Sequence, residues 1–502
     1  MVRTPQASPR EDIVRDVTEL LGPDQVDTDE QRLRESSVDR FRKYSAVHGI
    51  YDGPLPSAIV YPTSAEQVAA VLQYARREHV AVVPRTGGTS TEGGLEVVVE
   101  GALVVDGSRM NRVIHVDTEN MMVTAQCGVP LQTLEDTLRE QGLTTGHSPQ
   151  SKPIAQLGGL VATRSIGQFS TLYGGIEDLV VGLEAVFADG QVARIKNVPR
   201  RAAGPDIRHV VIGNEGALAY VTEVTLKLFR WYPDNTRYVG LTVPDFAEGV
   251  GLLREVVTAG YRPSVARLYS PQDARQHFSD HPQDRHLVVF AVEGPHPLVE
   301  ATTGAIKEMA VGVEHEEVPS EQIRTWFENL NWGPDKIEAE KAEMLRTRHL
   351  AYTTEVSVDW SRTAELYEAV MSRIRTSFPR ASDLTLLGAH SSHSYQSGTN
   401  LYFVYDYDIN CDPREEIDEY HLPLNAIIVE EALRAGGSMV HHHGVGKYRT
   451  PWIQAEHGSA YHVLAGLKRA FDPDNVMNPG ALFPVDAEGD AVLDPLSSAT
   501  AP

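Results

Sequence analysis

Cysteine is nearly absent. The 502-residue sequence holds two, Cys127 and Cys411, and no CxxC pair. That excludes a disulfide framework and a thiolate zinc site, and it reads as two reduced thiols in a cytoplasmic protein. No stretch approaches the roughly 18 apolar residues of a membrane span, so no integral membrane segment is expected. The opening residues, "MVRTPQASPREDIV", lack the apolar core of a secretory leader. A basic stripe with interleaved aromatics is also missing. The net charge is −24, and the 69 acidic residues are spread along the chain. Such a surface excludes nucleic acid as an expected partner. Internal repeats and low-complexity segments are absent. What remains is an ordinary globular composition, 41% hydrophobic and 23% charged.

The chain divides by texture. Residues 1–54 carry helical spacing with many charges and end at the break "DGPLPS". Residues 55–231 are a dense α/β pattern. "AIVYP" predicts a strand, and "TSAEQVAAVLQYARREHV" predicts a helix capped by Thr63 or Ser64. "AVVPRTGGTSTEGG" predicts a strand running into a glycine-rich loop. "EDLVVGLEAVFADGQVARI" predicts a hairpin turning at Asp189-Gly190. Residues 232–443 have longer helix and strand segments, residues 444–486 form a Pro/Gly-punctuated close, and residues 487–502 read as a flexible tail.

Three segments in the first half are rich in small residues. "RTGGTSTEGG" follows a strand, and it is neither a GxxxxGK[ST] nor a GxGxxG loop. Its glycines let backbone N–H groups approach an anion, and its hydroxyls add donors, which suits a pyrophosphate. "GHSPQSKPIAQLGGLVATRSIGQFSTLYGG" and "GNEGALAYVTE" repeat the theme. Together they describe a surface on which a long flat ligand lies against backbone.

"PRTGGTSTEGG", "IGNEGALAYVTEVTLKL" and "FDPDNVMNPGALF" resemble the FAD-binding fold of the vanillyl-alcohol oxidase superfamily, over about residues 55–230 and 440–485. The resemblance implies an α+β architecture: a two-subdomain PCMH-type FAD-binding domain with an α/β cap, or substrate, domain between its sequence halves. It implies FAD between the subdomains with its pyrophosphate on the 85–90 loop, at Pro84, Arg85, Thr86, Gly87, Gly88, Thr89 and Ser90. Further implied contacts are Gly146, His147, Ser148, Gly158, Gly159, Ala162, Thr163, Ser165, Gly167 and Tyr173 in the second segment. Glu215, Gly216, Val221, Thr222 and Asn478 complete the set. Some members attach FAD through a histidine just after the two glycines of the first loop. That position is Thr89 here, which implies a non-covalent cofactor.

The run "SMVHHHGVGKYR" places His441, His442 and His443 together. In the 2-hydroxyacid dehydrogenase branch of the superfamily, two histidines and a glutamate in matching segments bind a divalent metal. The matching positions here are Tyr395, Tyr402 and His442. Two phenols bind zinc poorly at neutral pH, so no metal is assigned. "TGHSPQS", "YGGIEDLVVGLEAV", "SVARLYS", "SYQSGTNLYFVYDY" and "HHHGVGKYRTPW" instead resemble alkyldihydroxyacetonephosphate synthase. That resemblance implies flavin-N5 chemistry on a small ketone phosphate or ester. It carries over Arg267 as an anchor, and Tyr402 with His441, His442 and His443 as the acid–base set, with His442 first in expected contact with substrate. A Tyr–His pair can remove a proton beside a carbonyl, and an arginine can hold a phosphate or developing charge.

Alternatives stand beside this reading. One is an FAD-dependent oxidase or dehydrogenase of an alcohol or phenol, and another is a flavin-storing or sensing protein. The histidine run is expected as the last strand of the cap, with His441 and His443 on one face and His442 on the other. A metal site from His441 and His443, with His390 or His393 as third ligand, stays open. The expected partners are a small-molecule substrate and a second copy of the chain as a homodimer.

Overall fold

The computed structural model describes residues 10–486 and 491–493. The first half builds two main sheets and a short two-stranded one, Leu143–Thr144 with Phe229–Arg230. In one, Ala58–Val60 and Val82–Arg85 flank Leu103–Asp106 in parallel. The helix Ala65–Glu78 links the first two of these strands. Ser64 caps it by accepting from the Gln67 N–H at 3.3 Å, and His79 ends it in the left-handed region at φ 52°. Val68, Val71, Leu72 and Ala75 recur at helical spacing, and all are fully buried. In the other sheet five antiparallel strands run in the order Val113–Asp117, Met122–Gln126, Ala219–Lys227, Val180–Phe187, Val192–Ile195. The hairpin at Asp189-Gly190 forms with Gly190 at φ 82°.

The N-terminal segment is helical over Arg10–Leu21, Glu30–Ser36 and Lys43–Val47, as its spacing predicts. It also adds something the spacing does not show. Val26–Asp27 pairs antiparallel with Ala58–Val60 and extends the first sheet.

The second half is organised on a seven-stranded antiparallel sheet. Its order is Glu316–Val318, Thr236–Val243, His286–Glu293, Val265–Tyr269, Leu384–Ser391, Gly398–Asp408, His349–Asp359. Strand parity sorts its residues. Ala266, Leu268, Leu401, Phe403 and Tyr405 turn into a core shared with the helices Phe246–Thr258, Trp360–Ser377 and Leu422–Arg434. The alternate residues Arg267, His390, Tyr402 and Val404 turn the other way, to a cavity shared with the first half. The register Tyr269↔His390, His390↔Tyr402, Tyr402↔Glu355 sets one transverse row across four strands.

Residues 441–443 are not a strand. After Leu422–Arg434, Ser438 makes a single bridge to Ser357, and the chain then runs irregularly through the histidines. The expected alternation of His441 and His443 against His442 therefore does not hold. Of the segment read as a flexible tail, residues 487–490 and 494–502 lie outside the described residues. Residues 491–493 are placed: Ala491 bridges Val485, and Leu493 is buried. Among the described residues no helix is long and apolar enough to cross a membrane.

Candidate functional site

The strand Val82–Arg85 delivers the glycine-rich loop to the cavity. A Cβ on Gly87 would sit 2.7 Å from the Ile154 carbonyl oxygen, and one on Gly158 2.7 Å from the Cys127 Cβ. One on Gly159 would meet the Thr86 Oγ1 at 2.8 Å. At Gly87 the close neighbours are backbone, and at Gly158 and Gly159 they are the side chains of Cys127 and Thr86. Among the described residues no protein group accepts a hydrogen bond from the backbone N–H of Gly87, Gly88, Thr89 or Ser90. These four residues line the cavity, and a row of free amide donors in such a loop suits a diphosphate.

The residues implied as FAD contacts divide into two groups. Pro84, Arg85, Thr86, Gly87, Gly88, Thr89, Ser90, Gly158, Gly159, Ala162, Thr163, Ser165, Glu215, Gly216 and Val221 line the cavity. Gly146, His147, Ser148, Gly167, Tyr173, Thr222 and Asn478 are not among the residues that line it. His147 Nε2 meets the Ser165 Oγ at 3.2 Å, and Thr222 donates to Glu184 at 2.9 Å. Asn478 ties Gly94 to Glu215 by donating to both carbonyls, at 3.0 and 2.8 Å.

Two carboxylates shape the histidine loop. Glu355 accepts the N–H of His441 at 2.5 Å and of His443 at 2.8 Å. Glu215 accepts those of Val445 and Gly446, each at 2.7 Å. Side-chain oxygens thus take the donors that a strand partner would take, which is why this run is irregular. Burial pushes the Glu215 carboxyl up to about 7.

On this loop His443 meets Tyr402, with Nε2 to hydroxyl at 3.0 Å. Thr353 donates to the Tyr402 oxygen at 3.1 Å, which leaves the phenol proton for His443 or a ligand. Burial pushes the Tyr402 hydroxyl up to about 12. The far ring nitrogen of His443 lies 3.4 Å from Glu92 and 3.7 Å from Glu355. Burial works to raise Glu92, but Arg449, at 2.9 Å, and His443 bring it down to about 2. His442 faces the cavity, whereas His441 lies behind it on the Tyr395 hydroxyl at 2.6 Å.

At the cap end Arg267 is 2% exposed, and its Nε and Nη1 have no hydrogen-bond partner among the described residues. It stacks on Tyr269 and Trp326 at 5.0 and 5.3 Å. Beside it His390 holds Asp273 at 2.6 Å and stacks on Tyr402 at 4.7 Å. Burial pulls His390 down to about 4, against the pull of Asp273. The cavity measures about 430 Å³. Sequence reasoning missed Glu92, Glu355, Arg449 and Asp273. Only Glu92 left a sign, as an acid inside a glycine-rich loop. It also missed Arg40 and Lys43, which the N-terminal segment brings to the cavity wall.

Comparison with known proteins gives this geometry a family. An FAD binding domain matches residues 56–196, and the C-terminal domain of FAD linked oxidases matches residues 232–482. The FAD-linked oxidoreductase YgcU of Escherichia coli O157:H7, itself uncharacterized, is 57% identical over 476 residues, covering 94% of this chain and 98% of its own. Alkyldihydroxyacetonephosphate synthase of Dictyostelium discoideum is 26% identical over 506 residues, covering 95% and 81%. A solved alkyldihydroxyacetonephosphate synthase structure shares the fold with a TM-score of 0.75 at 23% identity, over 95% of this chain and 86% of that one. The chain belongs to the FAD-linked oxidoreductases, and it is an enzyme with FAD as its cofactor.

Proposed function

We propose that this enzyme uses flavin N5 chemistry on a small, polar ketone phosphate or ester, with Tyr402 and His443 as the acid–base pair and Arg267 as the anion anchor. The observation that carries the reading is the 3.0 Å Tyr402–His443 contact, in the same cavity as an unpartnered buried guanidinium and the free amides of the glycine-rich loop. FAD, when bound, supplies an electrophilic N5 and a two-electron acceptor. The free amides of Gly87, Gly88, Thr89 and Ser90 would hold its diphosphate, and Thr89 would leave it non-covalent.

The protein's own residues do the rest. Arg267 binds the substrate's anionic group by charge-assisted hydrogen bonds through the two nitrogens that lack partners. The Tyr402 oxygen takes a proton from the substrate carbon or hydroxyl as its own proton passes to His443 Nε2. Glu92 and Glu355 face the positive charge that then forms on the imidazole.

The cap end of the cavity supports a second reading. Thr353, Asp273, His277, His390 and Asp406 line it along with Arg267. That lining is polar, which suits a small alcohol better than a fatty one, so an oxidase or dehydrogenase of a small anionic alcohol follows with the same residues. The two part in one experiment. Holoenzyme is mixed under air with acyl esters of dihydroxyacetone phosphate and, separately, with small hydroxy acids and phenols. Release of the acid without oxygen uptake or flavin bleaching supports the first reading. Bleaching by an alcohol supports the second and overturns the first. Bleaching by none, with no ester cleaved, overturns both.

A further inference from the structure

The histidine loop carries a cluster that the acid–base pair does not use. His393, His441 and His442 each offer a ring nitrogen, and these atoms lie within 4.8 Å of one another. His441 Nδ1 and His442 Nδ1 are 2.9 Å apart. Two imidazole nitrogens at that distance share one proton or one cation. Their surroundings fix which nitrogens face inward. The Ser170 Oγ holds the His393 Nδ1 at 2.8 Å, which turns Nε2 away from it. The Tyr395 hydroxyl holds the His441 Nε2 at 2.6 Å, which leaves Nδ1 to the cluster. An oxygen hydrogen-bonded to the far ring nitrogen is what orients metal-binding histidines and makes them more basic.

Neutral imidazole is the form that binds metal. With Zn–N bonds near 2.0–2.1 Å, tetrahedral ligand nitrogens stand about 3.3 Å apart. The two Nδ1 atoms need to part by only a few tenths of an ångström, and His393 needs to close in. His393 and His442 line the cavity, so a fourth position opens towards substrate, as in catalytic rather than structural zinc sites. Glu355, fully buried and 3.8 Å from the His442 Nδ1, lies close enough to balance charge.

We propose that His393, His441 and His442 bind one divalent first-row cation of the zinc class beside the flavin cavity. The ligand set is not that of the hydroxyacid dehydrogenase branch, two of whose positions are Tyr395 and Tyr402 here. One of those phenols instead orients a ligand. The site stands or falls independently of the proposed reaction.

The test uses tag-free holoenzyme, stripped with a chelator, given Zn²⁺, desalted, and assayed for zinc and FAD per chain. The expected result is one zinc per chain. Retention should fall at least tenfold in H393Q and H442N, and Y395F should weaken it on the order of tenfold. H443N should keep its zinc. FAD content and melting temperature show whether each variant folds. Zinc-edge absorption on the wild type, expected to report three imidazoles, decides the matter without any variant. No zinc on the wild type, equal retention by folded H393Q, or fewer than three imidazoles overturns the proposal.

Discussion

Tyr402 is the residue on which the proposed chemistry turns, and its surroundings say how. Its hydroxyl is pushed up to about 12 by burial, so it is not a standing phenolate. It works only if His443 takes its proton. Y402F keeps the ring that stacks on His390 and removes that route. It should keep FAD while kcat falls on the order of 10²-fold or more, measured by steady-state kinetics beside flavin absorbance. Arg267 should behave differently. Its Nε and Nη1 are unpartnered among the described residues, so R267M loses binding to an anion without stranding a protein carboxylate. KM for an anionic substrate should rise about tenfold to a hundredfold, the worth of a charged hydrogen bond. The substrate lacking its anionic group should be affected far less. Both residue types were legible in the sequence through "NLYF" and "SVARL". Their carboxylate neighbours were not, because Glu355 lies 47 positions from Tyr402 in sequence and meets it only through strand pairing.

Elements explain why some local readings succeeded and others failed. The capped helix, the Asp189-Gly190 hairpin and the strand into the glycine-rich loop depend on contacts within a few residues, which a sequence displays directly. The transverse row Tyr269–His390–Tyr402–Glu355 depends on the register of four strands, of which only the paired neighbours Leu384–Ser391 and Gly398–Asp408 are joined by a short turn. Period-two alternation says which residues share a strand face but not which strands become neighbours. The histidine run failed for another reason: Glu355 and Glu215 replace a strand partner, and no local pattern announces that. The glycine-rich loop offers the sharper test at this scale. In G87A the new Cβ meets backbone at Ile154 and Gln156, at 2.7 and 2.8 Å, and neither can swing aside like a side chain. Overpacking of this kind costs about 1–3 kcal/mol. The loop should shift, and the FAD dissociation constant, followed by flavin fluorescence, should rise about tenfold.

At the scale of the whole molecule, the candidate cavity lies where chain segments remote in sequence converge. Glu92 comes from the first half, Glu355 from the cap sheet, and Arg449 from the return segment, and all three are fully buried. The N-terminal segment is clamped to the cap close by. The Tyr352 hydroxyl donates to the Phe41 carbonyl at 2.5 Å, and Lys43 pairs with Glu340 at 2.5 Å. Under this clamp lies Glu416, which accepts from the Tyr407 hydroxyl and has the Tyr352 oxygen 3.5 Å from its other arm. Burial pushes its carboxyl from 4.5 up to about 7, although Tyr407, Lys43 and Arg42 act to lower it. Between those two values the folded chain binds the proton more tightly than the unfolded chain does. Stability from this group is therefore complete below about pH 4.5 and is lost as pH rises through about 7. The shift corresponds to ~3 kcal/mol at most. Paired carboxylates such as Glu92 act in the opposite sense at lower pH, so the raw stability profile mixes the two. The difference between wild type and E416Q isolates Glu416. The amide keeps the shape and the hydrogen-bond capacity of the protonated acid and cannot ionise. Urea unfolding of the two holoenzymes should give a difference that grows in favour of E416Q from pH 5 to pH 8 and flattens above it. A difference constant across that range would show that Glu416 ionises at its ordinary value beneath the clamp.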